Sequence, residues 1–178
     1  IMHSNGGFDV IIGNPPYVEV NENLPYSLDK LITSKCGNLY GNCIERGFTL
    51  KTKGYFGFII PVAITCSKRM QKVIDFFNKK SSITYFANFD DRPGKLFEMI
   101  QHLRATIFIA KTTPRTNSNE KFFSTKYNRW YSECRASLFN NIVYQDVYNI
   151  VKEYIVPKIS YDVEASIYDK INKSKGRL

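Results

Sequence analysis

The sequence predicts an α/β fold in which strands and helices alternate over residues 8–111. Short apolar runs recur along this part of the chain, and each is closed by glycine, proline or polar residues, as buried strands are. Two of the segments between these runs carry apolar residues three and four positions apart, which is typical of amphipathic helices. With 178 residues, 43% of them hydrophobic, the chain is long enough to bury a core, and this excludes a wholly disordered protein.

The first part of this pattern begins with a buried strand over residues 8–12. The strand is expected to end before Pro15 and Pro16, because proline cannot donate to a strand ladder. A helix follows at residues 38–51, where apolar side chains recur at helical spacing. The second buried strand is predicted over residues 55–60.

The second part continues with a helix over residues 67–79, for which Ser67 is the predicted N-cap. A third strand is predicted over residues 83–89 and a fourth over residues 105–110. These last two strands are close enough in sequence to pair antiparallel, whereas strands joined through a helix are expected to be parallel.

The periodicity weakens after residue 111. Residues 117–119 indicate a linker, and the remaining chain is rich in tyrosine, asparagine and lysine. Helices are predicted there near residues 142–154 and 163–171.

The composition excludes several functional classes. Lysine plus arginine number 25 against 16 for aspartate plus glutamate, a formal net charge of +9 that favours a polyanionic partner. The longest apolar stretch, residues 56–64, is far shorter than the roughly 20 residues of a bilayer span, so no membrane association is expected. The four cysteines include no C-x-x-C pair, and together with two histidines they predict no metal site. Since no secretory signal opens the sequence, a cytoplasmic location is expected.

One tetrapeptide carries chemistry: Asn14-Pro15-Pro16-Tyr17, directly after the first predicted strand. Open α/β sheets bind ligands at the carboxyl ends of their strands. The two prolines restrict the backbone, so the Asn14 side chain and the Pro15 carbonyl present two hydrogen-bond acceptors on one side, with an aromatic face at Tyr17. An amide or aromatic amine with two N–H groups fits this arrangement. An ordinary loop is the alternative for the tetrapeptide taken alone.

Residues 8–17 resemble the catalytic motif of S-adenosylmethionine-dependent amino-methyltransferases. They are most similar to that of the N6-adenine DNA methyltransferases of restriction–modification systems. Residues 38–47 and 54–61 resemble the helix and strand that follow the motif in that family, and residues 89–98 resemble its later hairpin segment. The resemblance covers residues 7–112 and consists of an ordered series of segments.

The resemblance implies part of a class I, Rossmann-like methyltransferase sheet with a terminal antiparallel hairpin, followed by the start of a mixed target-recognition region. Residues 1–114 would form the C-terminal half of the catalytic domain, and residues 115–178 a linker and the beginning of target recognition. In the family, the glycine-rich turn and the acidic residue that hold S-adenosylmethionine precede the motif strand. The chain is therefore expected to be a fragment that binds this cofactor weakly or not at all and is inactive alone.

The resemblance also implies a role for each site residue. Asn14 and the Pro15 carbonyl would accept hydrogen bonds from adenine N6 and orient its lone pair toward the methyl group of S-adenosylmethionine, with Asn14 nearest the cofactor. Tyr17 would stack on an adenine extruded from double-stranded DNA, with Pro16 beside it. Phe97, from the hairpin segment, is the candidate for a second aromatic wall.

Other residues receive supporting assignments. Tyr40 and Glu45 are predicted on the face of the first helix, one packed and one solvated, without a catalytic role. Basic residues are candidates for phosphate contacts, with a solvated surface as the alternative. They are Lys68 and Arg69, Lys79 and Lys80, and Lys121, Lys126, Arg129 and Arg135, the last group interleaved with Tyr127, Trp130 and Tyr131.

The strand over residues 8–12 also predicts an association. It is expected to be central in the complete fold, so in this chain its backbone groups would form an exposed apolar edge. Self-association through this edge, or its cover by the chain's own tail, would satisfy those groups.

Two other functions stay open. Protein-glutamine and RNA amino-methyltransferases use the same tetrapeptide on planar amides or amines. A non-catalytic DNA-binding or specificity module would keep the fold without the reaction. The basic, aromatic-rich tail and residues 38–61 favour double-stranded DNA as the substrate.

Overall fold

The computed structural model describes residues 7–20, 27–50, 54–98, 100, 102–112 and 121–174, and the linker predicted at residues 117–119 lies outside these ranges. The strands are β1 (Val10–Gly13), β2 (Gly54–Pro61), β3 (Ile83–Phe89), β4 (Ala105–Thr112), β5 (Lys121–Ser124) and β6 (Gln145–Asp146). The helices are α1 (Leu39–Leu50), α2 (Gln71–Lys80) and α3 (Asp162–Ser174). Short 3₁₀ turns lie at Ser34–Cys36, Val62–Thr65, Lys68–Met70, Ser132–Ser137 and Tyr148–Ile150. Within the ranges above, no helix has the length and apolar character that a bilayer crossing requires.

The strands form one six-stranded mixed sheet in the order β1-β2-β4-β3-β5-β6. β1 and β2 are parallel, and the chain passes between them through α1. β4 is antiparallel to both β2 and β3, so these two strands run in the same direction on either side of it. The predicted α/β fold, its parallel crossovers and its terminal hairpin are confirmed. The insertion of β4 between β2 and β3 is the feature that the sequence analysis did not predict.

An aromatic core joins the helices to the sheet. Phe56 on β2, Phe108 on β4 and Phe77 on α2 are fully buried. Their ring centroids lie 5.1 Å apart for Phe56 and Phe108 and 4.8 Å apart for Phe77 and Phe108, in edge-to-face geometry that adds attraction to the hydrophobic gain. α1 approaches β2 at Gly47, where a Cβ atom would lie 2.3 Å from Phe56 Cζ. Only glycine at this position lets α1 pack so close to the sheet.

The chain after residue 120 continues the same sheet. β5 pairs in parallel with β3, and Phe122 on β5 is buried in the main core. Val147 and Val156 from later segments join that core. The domain division between residues 114 and 115 stays a prediction about the complete protein. In this chain, the segment from residue 121 belongs to the sheet that carries the candidate site.

A buried polar network ties this segment to β3. Asn88 Nδ2 donates to Ser124 Oγ at 3.2 Å and to the Thr125 carbonyl at 2.7 Å, and Thr106 Oγ1 donates to Asn88 Oδ1 at 2.8 Å. The Asn128 backbone N–H donates to the Asn88 carbonyl at 2.8 Å. Because the amide of Asn88 has partners for its nitrogen and its oxygen, the network holds β3, β4 and the following segment together without an unpaired polar group at its centre.

The prediction that residues 8–12 form a buried strand is wrong in one respect. A strand forms there, but β1 is an edge strand in which Val10 is 55% and Ile12 is 80% exposed. Its apolar composition is typical of a strand covered on both faces, yet among the described strands it pairs with β2 alone. The expectation that the tail covers this edge is also wrong, since β5 and β6 pair at the opposite edge of the sheet.

Of the four predicted helices, those over residues 38–51 and 163–171 are confirmed, and the other two predictions need correction. α2 begins at Gln71 after a 3₁₀ turn, and Ser67 makes no side-chain capping bond. Residues 142–154 are not helical, because their apolar side chains pack on the core from β6 and irregular backbone. The helix predicted at residues 163–171 is α3.

Candidate active site

The tetrapeptide Asn14-Pro15-Pro16-Tyr17 follows β1 directly, at the carboxyl end of that strand. Since β1 and β2 are parallel, the carboxyl end of β2 at Pro61 lies at the same edge of the sheet. This is the edge at which open α/β sheets bind their ligands. The structure therefore places the tetrapeptide where the sequence predicts a site.

Tyr17 is fixed to the neighbouring strand through its hydroxyl group. The hydroxyl donates to the Ile59 carbonyl at 2.7 Å. Tyr55 N–H donates to the Asp9 carbonyl across the β1–β2 pair, and the alternation along β2 turns Ile59 to the same side. β1 ends at Gly13, opposite Phe58, so the Ile59 carbonyl lies just beyond the end of the ladder and the phenol takes the place of the next backbone donor.

Partial burial also keeps this phenol protonated. It raises the pKa of Tyr17 to about 12, because the half-buried side chain loses solvation that the phenolate needs. The hydroxyl therefore remains a donor to Ile59 at neutral pH, and the aromatic ring is held in one place.

Asn14 has the opposite environment. Its side chain is exposed, and no described residue forms a hydrogen bond with it. Pro15 is buried and Pro16 is exposed, so the backbone is anchored immediately after the free amide. The predicted acceptor of Asn14 is therefore open to a ligand, while the residues behind it are restrained.

Phe97 lies against Tyr17, as the predicted pair of aromatic walls requires. The two ring centroids are 6.4 Å apart at an interplanar angle of 72°. Tyr40 also contacts the Tyr17 ring, with a centroid distance of 6.3 Å and an interplanar angle of 89°. A base stacked between two rings needs parallel planes about 7 Å apart, twice the 3.4 Å rise of stacked bases. The present angle leaves no such slot, so one ring must turn before a base enters.

The environment of Glu45 differs from the one that the sequence predicts. It was expected to be solvated on α1, but it is buried, and its carboxylate accepts hydrogen bonds from Ile32 N at 3.1 Å, Thr33 N at 2.8 Å and Thr33 Oγ1 at 2.7 Å. The packed position predicted for Tyr40 is confirmed. Since the donors lie 12 and 13 residues from Glu45, no local sequence pattern indicated this contact.

Glu45 thereby supports the tetrapeptide from behind. It anchors the segment that leads into α1, and that segment pairs with the residues after Tyr17. Leu39 N donates to the Val18 carbonyl at 2.9 Å, and Val20 N donates to the Gly37 carbonyl at 3.2 Å. The segment before α1, anchored by Glu45, thus restrains the backbone that follows the site.

An open cleft of about 1030 Å³ occupies the same edge of the sheet. It is lined by residues that follow β2, follow β3 and precede β4, together with Arg129 and Tyr131. Within it, the buried Asp90 accepts from Arg104 Nε at 2.8 Å and from Arg129 Nε at 2.6 Å. Burial raises the pKa of Asp90, but these hydrogen bonds outweigh it and hold the pKa well below its ordinary value. The sequence indicated only a polar stretch here, and Arg104 was missed.

The predicted phosphate-binding residues are distributed unevenly. Arg129 and Tyr131 line the cleft, whereas Trp130 between them is buried against Phe89 and is not free to stack on a base. Arg135 donates to the Lys95 and Leu96 carbonyls. The remaining basic residues, Lys68, Arg69, Lys79, Lys80, Lys121 and Lys126, are exposed outside the lining of the cleft, and Tyr127 is half-buried.

Comparison with known proteins places the fold and the family. The sequence profile of the Eco57I restriction-modification methylase family matches residues 1–97, more than half of the chain. No curated protein matches the sequence.

Solved structures resemble the fold at low sequence identity. The ATP-dependent Type ISP restriction-modification enzyme LlaBIII bound to DNA matches with a TM-score of 0.60 and 16% identity over 78% of this chain and 11% of that chain. The DrdV–DNA complex matches with a TM-score of 0.60 and 16% identity over 77% of this chain and 17% of that chain. A putative class I S-adenosylmethionine-dependent methyltransferase from Listeria monocytogenes matches with a TM-score of 0.50 and 16% identity over 96% of this chain and 42% of that chain. The chain thus spans less than half the length of each.

These findings agree with the resemblance carried by the motif residues. The six-stranded mixed sheet is similar to that of class I S-adenosylmethionine-dependent methyltransferases. With more than half of its residues matched by one family, the chain belongs to the Eco57I restriction-modification methylases.

Proposed function

We propose that this chain carries the catalytic tetrapeptide of a DNA methyltransferase that transfers a methyl group from S-adenosylmethionine to adenine N6 in double-stranded DNA. The observation that carries the proposal is the contrast within four residues. The Asn14 amide is exposed and has no partner among the described residues, while the Tyr17 hydroxyl is bound to Ile59 and Pro15 is buried. An exposed acceptor that no described residue occupies, on a restrained backbone, is suited to orient a substrate rather than to stabilise the fold.

The tetrapeptide acts on the exocyclic nitrogen of the base. Adenine N6 is a poor nucleophile because its lone pair is delocalised into the ring. Asn14 Oδ1 and the Pro15 carbonyl accept its two N–H groups, return electron density to nitrogen and aim the lone pair at the methyl donor. Because both acceptors lie on a proline-restricted backbone, they need little reorganisation when the base arrives.

The aromatic pair receives the extruded base. The hydrogen bond to Ile59 holds the hydroxyl end of Tyr17, whereas the Phe97 ring has no polar group to hold it, so Phe97 is the ring that moves. Its rotation from 72° toward the plane of Tyr17 opens a slot for adenine, with Pro16 at the rim. The two rings meet edge to face in the absence of a base and shield each other from water.

The cofactor meets this chain at one point. S-adenosylmethionine supplies an electrophilic methyl group when bound. Asn14, the exposed amide at the carboxyl end of β1, fits a position between the cofactor and the base. The open edge of β1 beside it fits the approach of further cofactor-binding structure.

DNA is favoured over the other substrates by the cleft. It exposes Arg92, Arg104 and Arg129 beside the site, and LlaBIII and DrdV, which share the fold, are described in complexes with DNA. A protein-glutamine or RNA amino-methyltransferase and a non-catalytic DNA-binding module are the alternatives that the experiment distinguishes.

The test is transfer of labelled methyl groups from S-adenosylmethionine to duplex DNA, a protein mixture and RNA, by this chain alone and together with its native flanking sequence. We expect N6-methyladenine in duplex DNA when the native flanking sequence is present and none with this chain alone. The signal should be abolished by Asn14→Ala and reduced about 5-fold to 150-fold by Tyr17→Ala, since stacking on a flipped base contributes about 1–3 kcal/mol. Asn149→Ala, at an exposed position outside the site, is the matched control. Label in protein or RNA alone selects the second function, and label in none selects the DNA-binding module.

Self-association through β1 and a cytoplasmic location complete the proposal. The exposed apolar side chains of Val10 and Ile12, and the side of β1 with which no described strand pairs, suit pairing with a second copy of the chain. Light scattering is expected to show a dimer. A strict monomer with rapid amide exchange at residues 10–12 would contradict this association.

A further inference from the structure

Asp90, directly after β3, holds two arginine side chains by their Nε atoms. The Asp90 carboxylate is 3% exposed and accepts from Arg104 Nε on Oδ1 and from Arg129 Nε on Oδ2. A guanidinium group has five N–H donors, and each of these bonds uses one. The terminal Nη atoms of both arginines donate to no described residue. The protein therefore orients the pair through Nε and leaves their terminal donors without a partner among the residues that the structure describes.

Arg104 is also restrained by an aromatic ring. Its guanidinium carbon lies 5.2 Å from the centroid of Tyr127, and Lys158 Nζ lies 5.8 Å from the same centroid. A carboxylate and a cation–π contact together limit the rotation of the guanidinium group. A cation held in place before binding loses less side-chain entropy when a ligand arrives.

The positive charge of the cleft exceeds what Asp90 requires. One arginine would neutralise the single carboxylate of Asp90, but two arginines pair with it. Arg92 also lines the cleft. With Asp91 included, three arginines face two aspartates, which leaves a formal charge of +1. Since Asp90 is buried while Arg104 and Arg129 are 51% and 69% exposed, the excess charge faces solvent.

We propose that Asp90, Arg104 and Arg129 form a clamp for one phosphodiester group of the DNA backbone beside the extruded adenine. A phosphodiester carries one negative charge and two free oxygens, which match the forks of two arginines. The cleft that holds the cluster is also lined by Pro61, two residues beyond the Ile59 carbonyl that binds Tyr17, so a phosphate on the clamp lies at the same edge of the sheet as the base site. This location rests on the proposed function, whereas the phosphate chemistry rests on the cluster itself.

The clamp is tested by fluorescence anisotropy of a labelled DNA duplex with this chain over a series of salt concentrations. Arg104→Gln and Arg129→Gln are each expected to weaken binding about tenfold at low salt. Since the two arginines share one phosphate, each substitution is also expected to reduce the slope of log K against log salt, by at most about 0.9, the value for one phosphate contact. Arg46→Gln, at an exposed position on α1 outside the cleft, is the matched control and should leave the slope unchanged.

Two further variants separate phosphate binding from a structural role. Asp90→Asn removes the buried charge but keeps both arginines, so the slope should stay at the wild-type value or rise. In that background Arg129→Gln leaves no unpaired buried carboxylate, so the double variant should fold and still show the reduced slope. Circular dichroism melting of every variant accompanies the binding measurements.

The results bear on the clamp and on the methyltransferase separately. A reduced slope in the arginine variants supports the clamp even if no methyl transfer is found. Arginine variants that lower the melting temperature but keep the wild-type slope overturn the clamp, as does a wild-type chain that does not bind duplex DNA. Normal methylation with unchanged DNA affinity in these variants would overturn it while leaving the methyltransferase in place.

Discussion

The two ends of the sheet differ in how they are held. At one end, β1 has β2 as its one partner among the described strands and exposes most of Val10 and Ile12. Toward the other end, β3 is bounded by β4 and β5, and the buried Asn88 cross-links both to the segment that follows. The tetrapeptide of the candidate site follows the weakly held strand, and the basic cleft begins at the strongly held one.

This difference explains why the tetrapeptide needs supports of its own. β1 supplies little packing, so the Tyr17 hydroxyl bond to Ile59 and the Glu45 anchor take over the positioning of the residues after it. The Asp90 cluster grows from a segment that the sheet already fixes. Local unfolding is therefore expected to begin at β1 rather than at β3.

The largest expected contrast comes from equivalent substitutions of isoleucine. Ile60→Ala on β2 should lower the free energy of unfolding by about 2–5 kcal/mol, because it leaves a cavity at a fully buried position. At protein concentrations low enough for the chain to be monomeric, Ile12→Ala on β1 should change it by less than about 0.5 kcal/mol, since that side chain is mostly exposed. Urea denaturation measures both. Equal losses would mean that β1 is covered in solution, as by a second copy.

A smaller loss is expected at the centre of the well-held end. Asn88→Ala leaves the Thr106 hydroxyl and the Thr125 carbonyl without their partner and should cost about 1–3 kcal/mol. Asn140→Ala, at an exposed position outside the network, is the control. A loss at Asn88 no greater than at Asn140 would show that the network does not hold the two parts together.

The smallest effect is a dependence of stability on pH. The pKa of Asp90 is depressed in the folded protein, so its contribution is complete above the unfolded value of about 3.9 and is lost as the pH falls toward the folded pKa. We expect a loss on the order of 1 kcal/mol between pH 5 and pH 2, because solvent screens the two exposed arginines. Asp90→Asn should flatten this part of the stability profile, and Asp75→Asn on α2 should not. An unchanged profile in Asp90→Asn would assign the acid sensitivity to other carboxyl groups.

Local patterns predicted the elements but not all of their partners. Apolar runs and helical spacing located β1 to β4, α1, α2 and α3, because these signals depend on residues a few positions apart. The insertion of β4 between β2 and β3 depends on pairing between distant segments, which no run of residues encodes by itself. Residues 142–154 were misassigned because Val147, Ile150 and Val151 meet the core from irregular backbone, where apolar spacing has no period.

The candidate site shows the same limit. Asn14 to Tyr17 could be predicted because adjacent residues form a recognisable motif after a strand. The contact of Phe97 with Tyr17 followed from the family resemblance, since 80 residues separate the two rings in the chain. Glu45 and Arg104 were misjudged or missed because their partners, Thr33 and Asp90, lie 12 and 14 residues away and form no pattern with them.

The hydrogen bond between Tyr17 and Ile59 fixes the number of residues that can separate the end of β1 from the Tyr17 ring. The phenol completes the row of bonds where β1 stops, so the distance from strand end to ring is set by the repeat of the sheet. One inserted or deleted residue between Gly13 and Tyr17 would shift either the Asn14 amide or the Tyr17 ring relative to the hydrogen bonds of the sheet. The number of residues between Gly13 and Tyr17 therefore tolerates change less well than their types do.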